Sequence, residues 1–456
     1  MAVSISRQIA FEVLRRVEAE SAYASDVLHA ELTTAVKPAD AALATELTMG
    51  VLRWRRQLDF LLERALKKPV ERLDLPVALA LRIGAYQLRF LEKIPPRAAV
   101  NESVELVKMA RKTSAASLVN AVLRKIATQA KAPAKKLLPP DMAPAERLGI
   151  LHSHPTWMVE RWLSRLGESQ TAALLEANNR APRLSCVLND ASRHDEVMRG
   201  LERAGMRVEP GELLKAAFAV SGGSPARTDE FHRGLISIQD EASQAIPLLL
   251  AVRPGERVLD LCAAPGGKTS ALVRAAGKTG FVVATDRHAH RLKSIHTQFK
   301  RLGLGDVHLV ELDATRPLPF RGDFDRILVD APCSGTGTLA RHPEIRWRLR
   351  PEQLARSREQ QSRMLTMALA QLARSGRLVY STCSIEPEEN EGVVAEILEN
   401  MPSIRRVPSG EAARTLGPSV PPGMDTSTLF TPDGYFRTLP PAHHADGFFA
   451  ALLEKT

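Results

Sequence analysis

Cysteine is scarce in this chain, with only Cys186, Cys262, Cys333 and Cys383 among 456 residues. They form no Cys-x-x-Cys pair and no His-x-x-x-His accompanies them, which argues against a zinc site. So few cysteines also argue against a secreted disulfide framework and for a reducing compartment. No apolar run reaches membrane-spanning length, and the first residues contain no apolar signal core. We therefore expect a cytoplasmic protein without a metal ion or a membrane partner.

Acidic residues are outnumbered by basic ones. Lys and Arg total 62 against 52 Asp and Glu, which gives a formal net charge of +10 and a pI near 9.6. This excess favours a polyanionic partner, because phosphate neutralisation dominates nucleic-acid affinity. Many soluble proteins are merely basic, so the charge alone leaves the partner open. A chain of 456 residues exceeds one ordinary core, which predicts two or three domains.

The N-terminal part of the chain has the hydrophobic periodicity of helices. Ile9, Val13 and Val17 recur at helical spacing, and similar series continue to about residue 130. Residues 1–130 are therefore expected to form an all-α bundle. A stretch rich in Pro and Lys, from Lys131 to Pro144, is typical of a linker.

The middle and C-terminal parts differ in pattern. Residues 145–233 mix helices with short strands, which predicts a small α+β module in which Cys186 is a core thiol on a strand over Leu184–Leu188. Residues 234–456 alternate apolar strands with amphipathic helices, which predicts a parallel, doubly wound α/β sheet of the Rossmann-like type. Tyr435–Leu439 and Phe448–Leu453 are expected to add an antiparallel edge to it.

A turn of small residues, Cys262 to Thr269, follows the first strand of that sheet and leads into a helix. Such a turn lets backbone N–H groups approach a ligand closely. Its Gly-Lys-Thr ending is also found in phosphate-binding P-loops. However, that motif requires glycine where this chain has Cys262, and no G-x-G-x-x-G fingerprint fits either. Both nucleotide-binding interpretations are weakened.

Acidic residues end the next three strands. Asp286 lies where an acid would bond the ribose of an adenosyl group, while Asp313 and Asp330 end the two strands that follow. Any one of them alone could cap a helix or a loop. Three at successive strand ends, beside a glycine-rich first turn, favour the positively charged methyl donor S-adenosylmethionine.

Two stretches that close predicted strands each carry one cysteine, Cys333 in Asp330–Gly337 and Cys383 in Ser381–Ser384. Open parallel sheets bind ligands outside the carboxyl ends of their strands. Two thiols delivered there from different strands indicate paired reaction chemistry rather than a structural bridge. Methylation of cytosine at C5 would use such thiols, because C5 becomes nucleophilic only after a thiolate adds to C6.

Three stretches together resemble motifs of the RNA (cytosine-5) methyltransferase family: Cys262–Lys268, Asp330–Gly337 and Ser381–Ser384. The upstream stretch Gln239–Gln244 is consistent with the same family. The helical N-terminus resembles the RNA-binding domain of the transcription factor NusB. The combination resembles the bacterial 16S ribosomal RNA (cytosine-5) methyltransferases of the RsmB (Sun/Fmu) type. The resemblance implies an all-α NusB-like domain, a small α+β module and a class I S-adenosylmethionine-dependent methyltransferase domain.

The resemblance also implies roles for individual residues. Cys383 is the expected nucleophile and Cys333 the expected release cysteine, whereas in DNA cytosine-5 methyltransferases the Pro-Cys thiol attacks. The expected donor-binding residues are Cys262, Ala263, Ala264, Pro265, Gly266, Gly267, Lys268, Asp286, Asp313 and Asp330. The C-terminal segment departs from the family pattern around His443 and His444, to which no role is assigned.

The expected partner is RNA, small-subunit ribosomal RNA in the first instance, bound by a monomer. Arg53–Arg56 interleaves tryptophan with arginines and is either an RNA-binding patch or a packed tryptophan with solvated cations. Arg341–Arg348 is expected to contact RNA. Another RNA such as tRNA is an alternative substrate. A non-catalytic NusB-like RNA-binding protein is less favoured, since it would not need both cysteines.

Overall fold

The computed structural model describes residues 3–32, 36–129, 132–305 and 307–456. Its two compact units are Met1–Arg180 with Leu339–Arg348, and Ala181–Thr338 with Leu349–Thr456. Residue 130, which ends the expected helical domain, and Lys131, which opens the expected linker, lie outside the described residues.

The first unit is helical, as the periodicity predicts. Its helices up to Arg180 are α1 (Ile5–Glu20), α2 (Ala24–Glu31), α3 (Pro38–Leu66), α4 (Leu75–Phe90), α5 (Pro96–Met109), α6 (Ala116–Ala127), α7 (Pro144–Leu151) and α8 (Thr156–Ala177), the last of which breaks at Gly167. Among the described residues, no helix is long and apolar enough to cross a membrane.

Helix α4 lies at the centre of the bundle. Every residue from Val77 to Leu88 is buried, because this helix is apolar around most of its circumference. Gly84 permits close packing here, since a Cβ atom at this position would lie 2.4 Å from Cδ1 of Leu123. The glycine within this apolar helix is therefore a packing requirement.

The second unit contains the strands β1 (Leu184–Leu188), β2 (Arg207–Pro210), β3 (Ala217–Ser221), β4 (Ile236–Ile238), β5 (Arg257–Asp260), β6 (Phe281–Asp286), β7 (His308–Glu311), β8 (Phe324–Asp330), β9 (Leu372–Thr382), β10 (Ile404–Arg406), β11 (Phe436–Thr438) and β12 (Phe448–Lys455). From residue 181 onward the helices are α9 (His194–Arg203), α10 (Asp229–His232), α11 (Glu241–Leu249), α12 (Gly267–Ala276), α13 (Ala289–Leu302), α14 (Ile345–Arg348), α15 (Pro351–Ala370), α16 (Glu391–Asn400), α17 (Ser409–Leu416) and α18 (Pro440–His443). Of these, α14 belongs to the first unit.

Two sheets organise the second unit. The small antiparallel sheet has the order β2-β3-β1-β4, and Cys186 is buried in its core as expected. The large sheet has the order β10-β12-β9-β8-β5-β6-β7, in which β5 to β9 are parallel. The prediction of an open Rossmann-like sheet is confirmed. Its carboxyl edge brings the ends of β5, β6, β8 and β9 to one side.

The C-terminal strands differ from expectation in one respect. β11 and β12 do pair antiparallel, but β12 lies between β9 and β10 instead of at the sheet edge. The run from Phe448 to Leu453 is buried throughout, which suits a strand covered on both faces.

The expected boundaries of the small module, residues 145–233, stay a prediction. Its helices α7 and α8 belong to the first compact unit, whereas the sheet β1 to β4 belongs to the second.

The segment Leu339–Arg348 follows the Cys333 loop in the chain and packs within the first unit. Arg346 is fully buried there. Its guanidinium donates hydrogen bonds to the carbonyl oxygens of Ser153, Asn178 and Leu339 and to Oδ1 of Asn179. Burial lowers the pKa of Arg346 to about 9. The expectation that this stretch contacts RNA is wrong for Arg346, because every one of these bonds is internal.

Neighbouring residues are engaged in the same way. Trp347 Nε1 donates to the carbonyl of Leu52 at 2.6 Å, and Arg348 donates to backbone carbonyls near the end of α1. In the Arg53–Arg56 stretch, Trp54 stacks on Phe90 with 4.8 Å between ring centroids, and Arg53 is buried. Arg53 and Arg348 are therefore engaged within the first unit, and RNA contact by the other residues of the two stretches stays a prediction.

Candidate active site

The two predicted catalytic cysteines are brought together by the large sheet. β8 and β9 are adjacent and parallel, with Asp330 opposite Ser381, so the loops that leave them meet at the carboxyl edge. The Sγ atoms of Cys333 and Cys383 lie 3.3 Å apart as free thiols. The hydrogen bond from Cys383, together with burial, raises the pKa of Cys333 well above its ordinary value.

A network of buried hydroxyl groups joins the two cysteine loops. Ser384 Oγ lies 3.1 Å from Ser334 Oγ and 3.2 Å from Thr336 Oγ1. The backbone N–H of Gly337 donates to the carbonyl of Cys383 at 2.9 Å. These bonds fix one loop relative to the other, because each polar group is buried and finds its partner across the gap.

Asn390 secures the turn that carries Cys383. Its Nδ2 donates to the carbonyl of Ser384 at 2.9 Å, and its Oδ1 accepts from Thr382 Oγ1 at 2.5 Å. Asn390 therefore holds both residues that flank Cys383.

Asp330 and Lys268 form an ion pair beside the thiols. Lys268 Nζ donates to Asp330 Oδ2 at 2.6 Å, and Ser381 Oγ donates to Asp330 Oδ1 at 2.7 Å. Burial opposes the charged form of Lys268, but the Asp330 carboxylate outweighs it and raises the pKa of Lys268. Lys268 Nζ also lies 5.3 Å from the ring centroid of Phe448.

The small-residue turn leaves β5 as the sequence predicts. Gly266 has a φ of +101°, a conformation that favours glycine, and α12 begins directly after it at Gly267. Thr269 Oγ1 donates to Asp260 Oδ2 at 2.7 Å, whereas Asp260 Oδ1 is buried without a partner among the described residues. Burial raises the pKa of Asp260 to about 7.

The remaining predicted donor-binding residues include Asp286 and Asp313, at the ends of β6 and β7, and Cys262, within the turn itself. Asp286 ends β6, accepts a hydrogen bond from the backbone of His288 and pairs with Arg291 at 3.2 Å. Asp313 follows β7, and its Oδ1 accepts from Thr315 N at 3.0 Å and from Thr315 Oγ1 at 2.7 Å. Those hydrogen bonds lower the pKa of Asp313. Burial raises the pKa of Cys262, which disfavours its thiolate.

The C-terminal segment closes over the Cys333 loop. Gly447 N donates to the carbonyl of Gly337 at 2.8 Å, and a Cβ atom on Gly337 would lie 2.0 Å from the Gly447 carbonyl oxygen. Asp240, the N-cap of α11 within the Gln239–Gln244 stretch, accepts from Asp446 N at 3.2 Å. His443 accepts a hydrogen bond from the backbone of Leu439, a local turn contact.

Sequence reasoning missed three buried residues of the site. Asp260 ends a strand just as Asp286 does, so the same rule would have found it. Glu389 and Gln361 lie outside the Cys333 loop in the chain and form hydrogen bonds to its residues Ser334 and Pro332. The acidic run after Cys383 was a signal for Glu389, but no local pattern marks Gln361.

The acids at this edge suit a ligand that carries positive charge. Asp260, with its unpartnered carboxylate oxygen, and the carboxylates of Asp286 and Asp330 lie around a turn whose small residues let a ligand approach the backbone. The sulfonium and amino groups of S-adenosylmethionine fit this set. The parallel sheet and its edge define a Rossmann-like, S-adenosylmethionine-dependent methyltransferase.

Comparisons with known proteins agree on each part of the chain. The family model described as 16S rRNA methyltransferase RsmB/F matches residues 247–454. The NusB family model matches residues 4–128, and the model of the RsmF/B-like ferredoxin-like domain matches residues 154–226.

Individual relatives span nearly the whole chain. The probable ribosomal RNA small subunit methyltransferase B of Bacillus subtilis is 33% identical over 453 residues, 98% of each chain. The ribosomal RNA small subunit methyltransferase B of Sodalis glossinidius is 35% identical over 91% of this chain and 90% of its own. A solved methyltransferase homologue from Pyrococcus horikoshii is 29% identical with a TM-score of 0.57, covering 69% of this chain and 100% of its own. The chain belongs to the RsmB/F family of 16S rRNA methyltransferases.

Proposed function

We propose that this protein transfers a methyl group from S-adenosylmethionine to C5 of a cytosine in small-subunit ribosomal RNA. The observation that carries the proposal is the pair of thiols 3.3 Å apart, next to the Asp330–Lys268 ion pair. The family description and the names of the relatives support ribosomal RNA as the substrate. Cys383 is proposed as the nucleophile and Cys333 as the release cysteine.

In the first step, the Cys383 thiolate forms a bond to C6 of the cytosine, and the electrons of the C5–C6 double bond make C5 nucleophilic. When bound, S-adenosylmethionine would supply the methyl group: a bond forms from C5 to the methyl carbon as the methyl–sulfonium bond breaks, and the donor sulfur leaves as a neutral thioether. Asp330 stabilises the adduct by hydrogen bonding to N3 or the exocyclic amine of the base, and Lys268 holds the Asp330 carboxylate in place.

In the second step, a base removes the proton from C5, and its electron pair restores the C5–C6 double bond. The bond from C6 to Sγ of Cys383 breaks, and the sulfur leaves as a thiolate. Cys333, whose sulfur is in contact with the leaving sulfur, assists this release. One thiol suffices for attack, so the second thiol is assigned to the step that follows.

The test is denaturing electrophoresis of wild type, Cys333→Ala and Cys383→Ala after incubation with S-adenosylmethionine and a small-subunit ribosomal RNA transcript. We expect a denaturation-resistant protein–RNA band for Cys333→Ala and none for Cys383→Ala. Cys186→Ala, which changes a core thiol of the small sheet, is the matched control and should behave as wild type. Nucleoside analysis of the RNA should detect 5-methylcytosine with wild type alone and with the control.

The reverse pattern would make Cys333 the nucleophile and refute the assignment. Absence of a band from every variant, with no 5-methylcytosine formed by wild type, would refute cytosine-5 methylation of this RNA. A tRNA transcript run in parallel distinguishes a wrong RNA from a wrong reaction.

A further inference from the structure

Glu389 is a buried acid that the mechanism above does not use. It lies on the turn Pro387–Glu389, shortly after Cys383 in the chain, and its relative exposure is 0%. The structure records hydrogen bonds for its carboxylate but no ion pair with a lysine or arginine among the described residues. A buried carboxylate without a cation is costly, so a role for it is expected.

The Glu389 carboxylate accepts two hydrogen bonds from Ser334, the residue after Cys333. Oε1 accepts a hydrogen bond from Ser334 N at 2.7 Å, and Oε2 accepts one from Ser334 Oγ. Tyr380, on β9, donates its hydroxyl hydrogen to the Glu389 carbonyl at 2.5 Å and fixes the backbone of the turn. The carboxylate is therefore anchored to the loop that it holds.

Gln361 connects the Glu389 carboxylate to the residue that precedes Cys333. Its Nε2 donates to Glu389 Oε1 at 3.2 Å and to the carbonyl of Pro332 at 2.9 Å. Pro332 and Ser334, the two neighbours of Cys333, are thus held by one buried unit. This unit places a negative charge beside Cys333, and that charge contributes to the raised pKa of Cys333.

Cys383 has the opposite electrostatic neighbour. The ammonium of Lys268 interacts electrostatically with Cys383 and with Asp330. The Lys268–Asp330 ion pair on one side of the thiol pair and the Glu389 carboxylate, which has no cation partner among the described residues, on the other make the two sulfurs inequivalent. When the pair loses one proton to solvent, the asymmetry decides which sulfur keeps the other.

We propose that Glu389 is a positioning residue that keeps the remaining proton of the pair on Cys333, so that the thiolate forms on Cys383. This deepens the proposed function, because it explains why the Thr-Cys-Ser thiol attacks and the Pro-Cys thiol does not. After Cys383 has bonded to the base, its charge is gone and only Glu389 and burial still hold the proton on Cys333.

The test measures each thiol in the free enzyme by alkylation with iodoacetamide, in which the thiolate sulfur bonds to carbon and iodide leaves. Rates at Cys333 and Cys383 are read from pH 6 to 10 by peptide mass spectrometry. In wild type we expect Cys383 to react at lower pH than Cys333. In a Cys383→Ser background, Glu389→Gln should raise the rate at Cys333 at pH 8 about tenfold, because loss of the carboxylate charge favours the Cys333 thiolate.

Two further variants separate charge from packing. Glu391→Gln removes a carboxylate at the start of α16 that pairs with Arg437 on β11, and it should leave the Cys333 profile unchanged. Ser334→Ala removes one hydrogen bond to Glu389 but leaves the carboxylate, and it should shift the profile less than Glu389→Gln does.

Equal shifts in Ser334→Ala and Glu389→Gln would assign Glu389 a purely structural role and overturn the proposal. Reaction of Cys333 at lower pH than Cys383 in wild type would overturn it as well, even if Glu389→Gln does not fold. Because the assay contains neither RNA nor methyl donor, this proposal and the proposed function can fail independently.

Discussion

The Sγ atoms of Cys333 and Cys383 are in contact at 3.3 Å, although 50 residues separate them in the chain. The contact follows from the register of β8 and β9, which sets Asp330 opposite Ser381. Two sulfurs this close cannot both carry a negative charge, because like charges at contact raise the pKa of whichever group ionises second.

The first prediction concerns this coupling. Cys383→Ala should lower the pKa of Cys333, since it removes the hydrogen bond that contributes most to raising it. Alkylation of Cys333 followed against pH should therefore reach half its maximal rate at lower pH than in wild type. Cys186→Ala is the control, and an unchanged Cys333 profile in Cys383→Ala would contradict the coupling.

The second prediction concerns the pH dependence of stability. Burial raises the pKa of Asp260 to about 7 in the folded protein, whereas aspartate in an unfolded chain titrates near about 3.9. The folded protein therefore holds a proton that the unfolded chain releases. Its free energy of unfolding, relative to that of Asp260→Asn, should fall as the pH rises from about 4 to about 7.

Thermal unfolding of wild type and Asp260→Asn at pH 5 and pH 8 checks this sign. Asp313→Asn is the contrasting variant, because hydrogen bonds from Thr315 lower the pKa of Asp313. The ionised Asp313 carboxylate should stabilise the folded protein at both pH values, and this stabilisation should be lost only in more acidic solution. A constant difference between wild type and Asp260→Asn across the two pH values would contradict the assignment of a protonated Asp260.

The third prediction concerns the closure of the C-terminal segment on the Cys333 loop. Gly337→Ala would place a Cβ atom 2.0 Å from the Gly447 carbonyl oxygen, so backbone must move. We expect a loss of about 1–3 kcal/mol in stability, typical of overpacking, and a larger loss of methyl transfer because the Cys333 loop shifts. Gly410→Ala, where the nearest atom would be 3.6 Å away, is the control. Full activity of Gly337→Ala would contradict a fixed loop.

The fourth prediction concerns the first unit. Arg346→Met should lower the free energy of unfolding by about 1–3 kcal/mol for each buried acceptor that it leaves unsatisfied, because the oxygen atoms of Ser153, Asn178 and Asn179 lose their donor. Urea denaturation of this variant can be compared with that of Arg124→Met, an exposed arginine on α6. A similar small effect of both substitutions would show that the network contributes little.

Much of the fold could be read from the sequence because its signals are local. The strand over Leu184–Leu188 is predicted and observed with the same bounds. The insertion of β12 between β9 and β10 could not be read, because an apolar run shows that a strand is buried and not which strands flank it.

The arginine-rich stretches show the same limit. The sequence does not distinguish an arginine that faces solvent from one that, like Arg346, donates hydrogen bonds to buried carbonyl groups. Those carbonyls belong to Ser153 and Asn178, which are remote along the chain, and no local pattern could connect them to Arg346.

By itself, the sequence determined the helical bundle, the strand–helix alternation, the turn of small residues from Cys262 to Thr269 and the two cysteines at strand ends, since each depends on neighbours along the chain. Only the tertiary structure decided that Cys333 and Cys383 are in contact. It also decided that Lys268 pairs with Asp330 and that Glu389 accepts hydrogen bonds from Ser334. The physical reason is strand register and long-range burial, which set distances of a few ångströms between residues far apart in the chain.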